Sequence, residues 1–266
     1  MNKKVMVTAL TASVALMNIG SAALSITEPP SFTEDFSSND IGTNFVATDN
    51  NGGTTDFSGG NATFNGLNDS RSFIGTTATN YASVSFTASV DVTVQAGSAT
   101  TGFIGLGPGL IGTAVNAGGT GTAFGEPSDG PVVYGILTGD SRTAGGNPVV
   151  PNFFTSTINA GDTGGNAGVP TGDTIVSVGS HTLFLDYDAT AETLTFSADI
   201  LGAGTITELA EVDTSGVGFT DTDSRIFFGG DEGVTFDNFS VTVVPEPTSA
   251  LLLGFVGMLG LARRRR

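Results

Sequence analysis

The chain has 266 residues, 39 of them glycine, with no cysteine, no tryptophan and only 13% charged residues. That length suits one all-β domain or two small ones, and the missing cysteine excludes disulfides, thiol nucleophiles and thiolate metal sites. The net charge is −17, and the body from Leu24 to Val244 sets three basic residues (Arg71, Arg142, Arg225) against 25 acids, a charge of −22; such a surface repels phosphate backbones and excludes nucleic-acid binding.

The first 23 residues read as a secretory signal peptide. Lys3 and Lys4 form the positive start, Val5 to Ile19 the apolar stretch, and Ser21 and Ala23 the small residues that place cleavage after Ala23. Beyond them the pattern is β. In the stretch ASVSFTASVDVTV, Val84, Phe86, Ala88, Val90, Val92 and Val94 alternate with Ser, Thr and Asp, which predicts a half-buried strand. Further strands are expected near FTEDF, DFSGGNATF, TGFIGL, PVVYGIL and TITELAEV. Two glycine-, threonine- and asparagine-rich stretches, 107–130 and 139–172, read as long loops, the second with a short strand in PNFFTSTI. Loops of that length are functional or linker segments.

His181 to Asp188 and Glu192 to Ile200 predict a hairpin, joined through Ala-Thr-Ala. Ser224 to Gly230 and Gly233 to Val244 predict a closing pair. No helical apolar stripe interrupts them, so the expected fold is an antiparallel two-sheet β-sandwich of jelly-roll type. The segment HTLFLDYDATAETLTFSADI resembles the hairpin of concanavalin A-like and laminin-G-like domains, and RIFFGGDEGVTFDNFSVT resembles their closing hairpin. VTFDNFSVT is also similar to the last strand of galactose-binding-like domains, the alternative fold. Both are sandwiches in which first and last strands are neighbours.

Candidate chemistry is sparse. Some concanavalin A-like domains are glycosidases with acid-x-acid-x-x-acid on one strand, where two carboxylates act together. Here Glu211 and Asp213 fit, but Gly216 replaces the last acid, so no enzyme is expected. His181 is the sole histidine and reads as a solvated or capping imidazole. Calcium is the one cofactor the acids suggest, since Asp221, Asp223, Asp231 and Asp237 gather around the final hairpin as hard oxygen ligands. Solvated turn acids are the preferred reading of the same residues. Asp237 shares the alternation of Phe239, Val241 and Val243, which points it inward unless a bulge intervenes. Carbohydrate recognition has few aromatic platforms to draw on, with tyrosine at Tyr81, Tyr134 and Tyr187 and most of the 19 phenylalanines on core-like positions.

The C-terminal segment begins with Pro245 and Pro247, which cannot donate ladder hydrogen bonds and so end the last strand. Ala250 to Ala262 contains no charge. A helix from Thr248 to Ala262 spans roughly 22 Å at 1.5 Å per residue, short of a hydrocarbon core of about 30 Å. Snorkelling arginine side chains extend its reach, and Arg263, Arg264, Arg265 and Arg266 stop transfer and hold their end in the cytoplasm. Pro245-Glu246-Pro247, an apolar helix and a terminal arginine cluster together resemble the PEP-CTERM sorting signal. The resemblance implies export through the secretory translocon of a Gram-negative bacterium, transient anchoring in the inner membrane, and processing by an exosortase. Delivery to the cell surface or extracellular matrix follows. Three regions are therefore expected: a signal peptide (1–23), a β-sandwich (24–244) and a sorting signal (245–266). The expected role is structural or adhesive in exopolysaccharide or biofilm, with a lectin-like, calcium-dependent carbohydrate-binding module as the alternative.

Overall fold

The computed structural model describes residues 28–37, 44–50, 54–65, 71–94, 101–107, 131–138, 152–158, 173–175, 178–230 and 233–244. The expected signal peptide, the apolar tail and most of the two glycine-rich stretches lie outside them. Among the described residues no helix is long and apolar enough to cross a membrane.

The strands are β1 (Phe32–Glu34), β2 (Phe45–Asn50), β3 (Thr54–Asp56), β4 (Ala62–Asn65), β5 (Arg71–Thr76), β6 (Phe86–Val94), β7 (Thr101–Gly107) and β8 (Val132–Thr138). They continue with β9 (Asn152–Ile158), β10 (Asp173–Ile175), β11 (Gly179–Asp188), β12 (Thr193–Asp199), β13 (Ile206–Asp213), β14 (Arg225–Gly230) and β15 (Val234–Val243). One sheet runs β13-β12-β11-β6-β15-β4-β3, with β1 also on β15; the other runs β10-β9-β8-β7-β14-β5-β2. Neighbouring strands pair antiparallel throughout. The expected all-β sandwich is the observed one. First and last strands are indeed neighbours, Phe32 facing Val241 and Glu34 facing Phe239.

Alternation builds the first sheet. Along β6, Phe86, Ala88, Val90 and Val92 face the core, while Thr87, Ser89, Asp91 and Thr93 face outward. Its partner β11 buries His181, Leu183, Leu185 and Tyr187 in the same way. The core between the sheets is aromatic. The Phe228 ring lies 5.1–6.2 Å from those of Phe36, Phe45, Phe64, Phe236 and Phe239. Most of these pairs meet edge-on or tilted, the arrangement that ring quadrupoles favour.

The second sheet is apolar on both faces. Ile74, Ile104 and Phe228 point into the core, while their neighbours Phe73, Phe103 and Phe227 occupy the opposite face and are also no more than 3% exposed. Phe73 and Phe103 are 5.2 Å apart and Phe103 and Phe227 6.2 Å. Glycine makes room for these rings. A Cβ at Gly135 would strike the Phe153 ring, and one at Gly105 the Val133 carbonyl and the Phe227 ring.

Asp237 shows where simple alternation fails. The β15–β6 register slips between Asp237 and Ser240, and Asn238 adopts a φ of 48°. This β-bulge lets Phe236 and Phe239 both reach the core across one extra residue. The carboxylate therefore does not enter the interior. Its Oδ1 accepts the Asn238 N–H at 2.7 Å, and Asn238 Nδ2 donates to Asp91 Oδ2 at 2.9 Å.

Candidate functional site

The acids of the body have a common local use. Glu34, Asp35, Asp56, Asp188, Asp199, Asp213 and Asp237 each accept a backbone N–H from a residue one to five places further along. These are Asx-type caps that hold turns between strands. Hydrogen bonds from Ser37, Ser58 and Ser215 hold the Asp35, Asp56 and Asp213 carboxyls below the usual aspartate value. The calcium candidates are dispersed. Asp221 and Asp223 are exposed on the loop before β14, Asp237 sits at the bulge, and Asp231 lies outside the described residues. Among the described residues no group of three or more His, Asp or Glu gathers where a metal ion would sit.

A pH dependence follows from these caps and from two phenols. Carboxyls depressed in the folded state supply stability above their unfolded value, about 3.9, and lose it as pH falls through the lower folded values. Burial raises the Tyr81 and Tyr187 hydroxyls. Their contribution is complete below the unfolded value of about 10 and disappears as pH rises through the folded ones. The melting temperature is expected to stay level from about pH 5 to 9 and to fall on both sides, below about pH 4 and above about pH 10. A thermal scan against pH reads both limbs.

His181 is a structural group. It is 2% exposed, and Nδ1 accepts the Leu201 N–H at 3.2 Å, supporting a turn in which Leu201 has a φ of 57°. Of the two expected roles, the cap is present and the solvated imidazole is not. The Arg225 guanidinium is likewise occupied, donating to the Thr76 and Thr77 carbonyls at 2.6 and 3.0 Å. Glu211 and Asp213 share the outermost strand of the first sheet, and Asp213 is engaged by the Ser215 N–H.

One end of the sandwich is built as a cleft of about 320 Å³. Its walls come from three segments separated in sequence: the 3-10 turn Tyr81–Ser83, the end of β11 with the β11–β12 turn that follows it, and the loop 214–221. Tyr187 and Phe219 meet edge-on at 90°, with ring centres 6.3 Å apart. Glu192 and Asp221 are exposed along the rim, and among the described residues no lysine or arginine lines it. The framework is tightly pinned. Asp188 Oδ1 accepts the Thr190 and Ala191 amides at 2.8 and 2.9 Å. The Glu192 carbonyl accepts both the Thr214 N–H and the Thr214 hydroxyl at 2.7 Å. Thr214 also shares a hydrogen bond with the Tyr187 hydroxyl. Glu192 has a φ of 52°, a left-handed conformation that costs an ordinary side chain about 1 kcal/mol. Tyr187 is only 6% exposed and stands edge-on to Phe219, so the cleft presents carboxylates and hydroxyls to solvent rather than an open aromatic platform.

Sequence reasoning missed this cleft. The one local signal is a glutamate at the turn position where glycine or asparagine belongs.

The cleft lies at the end where the chain leaves the fold. The Val244 N–H donates to the Ser85 carbonyl at 2.8 Å, and Ser85 Oγ accepts the Ala189 amide at 3.0 Å. The Ser31 hydroxyl oxygen accepts the Val243 N–H at 2.9 Å. From this point the PEP-CTERM protein-sorting motif matches residues 243–266. The chain carries a PEP-CTERM sorting motif. It starts on Val243, the last residue of the final strand, so sandwich and PEP-CTERM segment abut with no spacer.

The sandwich is similar in structure to lectin II from Ulex europaeus, at 15% identity and a TM-score of 0.54, over 81% of this chain and 99% of that one. It is also similar to the lectin from Bauhinia forficata in complex with GalNAc, at 12% identity and a TM-score of 0.57, over 81% and 100%. The potassium-bound carbohydrate recognition domain of Emp46p matches at 12% identity and 0.51, over 74% and 88%. At these identities the likeness establishes the fold, a legume-lectin, concanavalin A-like sandwich, rather than the galactose-binding-like alternative. Comparison with curated proteins gives no match.

Proposed function

We propose that this is an exported surface protein whose sandwich binds extracellular carbohydrate without catalysing a reaction. In this reading residues 1–23 are removed at Ala23, residues 24–244 are the cargo, and residues 245–266 are the address. Pro245, Glu246 and Pro247 are read by an exosortase, and the apolar segment holds the precursor in the inner membrane of a Gram-negative cell with Arg263, Arg264, Arg265 and Arg266 on the cytoplasmic side. The product is released to the cell surface or matrix. The observation that supports the binding role is a sandwich similar in fold to lectins that bears a cleft lined by Phe219, Ser215, Glu192 and Asp221. The reading as a structural or adhesive matrix protein draws on a different feature. Thr87, Ser89, Thr93, Ser180 and Thr182 place hydroxyls in adjoining rows on the outward face of the first sheet. Hydrogen bonds between Thr93 and Ser180 and between Thr182 and Asp91 order that face.

A glycan array probed with the exported protein, with calcium and with a chelator, separates the two. Saturable binding to a defined glycan is the expected result. An array silent in both conditions overturns the carbohydrate-binding role and leaves the matrix reading standing. Binding abolished by the chelator would assign calcium to the site.

A further inference from the structure

The end of the sandwich that carries the cleft is also the end from which the chain enters its sorting segment. Phe86 of β6 pairs with Val243 on one side and with Tyr187 on the other, so β15 and β11 finish around it. Ser85 then joins exit and cleft directly. Its carbonyl accepts the Val244 N–H at 2.8 Å, and its hydroxyl oxygen accepts the amide of the cleft-lining Ala189 at 3.0 Å. Ser83, two residues before it, lines the cleft as well. With the Val243 N–H held by Ser31 besides, the chain leaves the fold pinned against the cleft wall.

The tether that follows is short. Residues 245–249 separate Val244 from the uncharged run 250–262. Fully extended, those five residues reach at most about 18 Å, and a headgroup layer takes up about 5–7 Å of that. Pro245 and Pro247 fix φ at two of the positions and remove the slack of a flexible linker. β6, with nine residues at about 3.3 Å each, is roughly 30 Å long. The reach left outside the headgroups is only about a third of that length, so an anchored sandwich cannot point its cleft end away from the bilayer. We propose that the bilayer covers the cleft in the anchored precursor, and that removal of the sorting segment uncovers it. The partner of this end is a lipid surface, set by reach and not by affinity. Glu192 and Asp221 on the rim oppose adhesion to anionic headgroups, so the tether, not attraction, holds the two together. A carbohydrate-binding sandwich is thereby kept from its ligand until it is delivered. The proposal rests on the anchored, exosortase-processed precursor of the proposed function and adds a regulation to its cleft.

Because the chain has no cysteine, one introduced thiol is its only one. Ser215→Cys places that thiol in the cleft lining, and Thr205→Cys places it on an exposed turn at the opposite end of β12. Each full-length variant is expressed in a Gram-negative host without an exosortase, and spheroplasts are treated with a bulky, membrane-impermeant maleimide. Rates are referred to the same variants solubilised in detergent, which cancels the thiols' own reactivities. The Ser215→Cys thiol is expected to react at least about tenfold more slowly than the Thr205→Cys thiol, as for a site open in about a tenth of the molecules. Inserting about twenty Gly/Ser residues between Val244 and Pro245 adds a reach of roughly 25 Å and is expected to equalise the two rates with the chain still anchored. Equal rates without the spacer, or slow Ser215→Cys labelling that survives it, overturns the covering by lipid. A chain that carbonate extracts from the membrane overturns the anchored reading, and the proposal with it. The glycan array decides the carbohydrate reading separately.

Discussion

Replacing Phe228 with alanine is expected to remove about 3–5 kcal/mol of stability, the cost of deleting a fully buried phenylalanine. Phe228 is fully buried and its ring meets five others, drawn from β1's following loop, β2, β4 and β15. It is the residue through which β14 of the second sheet grips the first. A domain has only about 5–15 kcal/mol in hand, so this one change consumes much of the margin. Denaturant titration of Phe228→Ala should show a lower midpoint at unchanged slope. The control is Val46→Ala, which is 40% exposed on β2 and should fall within about 0.5 kcal/mol of the parent. A near-neutral Phe228→Ala would mean that the two sheets are not joined through this cluster.

Gly229→Ala is expected to cost about 3 kcal/mol, at the upper end of overpacking changes. β14 is hydrogen-bonded on both sides, to β7 and to β5. A Cβ at Gly229 would collide with the Ser72 carbonyl, approach the Phe73 Cα at 2.8 Å and press on the Phe103 ring at 3.1 Å. Two of these three contacts are backbone and cannot turn aside. Gly216→Ala is the matched control, since nothing lies within 4 Å of a Cβ there, and it should be nearly neutral. Loss of stability in Gly229→Ala with Gly216→Ala unchanged is read from the two denaturation midpoints.

The first sheet was legible in the sequence because one of its faces meets water. β6, β11, β12 and β15 alternate apolar and polar residues, and they lie where the alternation predicts. The second sheet was harder to read. Phe73-Ile74, Phe103-Ile104 and Phe227-Phe228 put apolar residues on both faces, which erases the period of two. β7 and β14 were still read from their apolar runs, but β5 (Arg71–Thr76) went unpredicted; β2 (Phe45–Asn50) buries only Phe45 among its described side chains, and β10, with three residues, is too short to carry a pattern. The bulge in β15 did leave a trace. Phe236 and Phe239 stand three apart in a strand, and the residue between them that turns left-handed is asparagine, which tolerates that conformation. The cleft left almost none. It is assembled from residues between Ala82 and Asp221 that only the pairing of β6, β11, β12 and β13 brings together.

The tail was legible for the opposite reason. Its order of proline turn, apolar run and arginine cluster is linear and requires no fold to interpret. It also explains why so acidic a protein ends in four arginines: they belong to the address and not to the cargo. That the sandwich is cargo and the tail its address is tested most directly by intact mass, measured on the full chain expressed with and without an exosortase. The expected product begins at Leu24 and, when the exosortase is present, lacks the apolar segment and Arg263–Arg266. A mass that retains the arginine tail in both cases would contradict it.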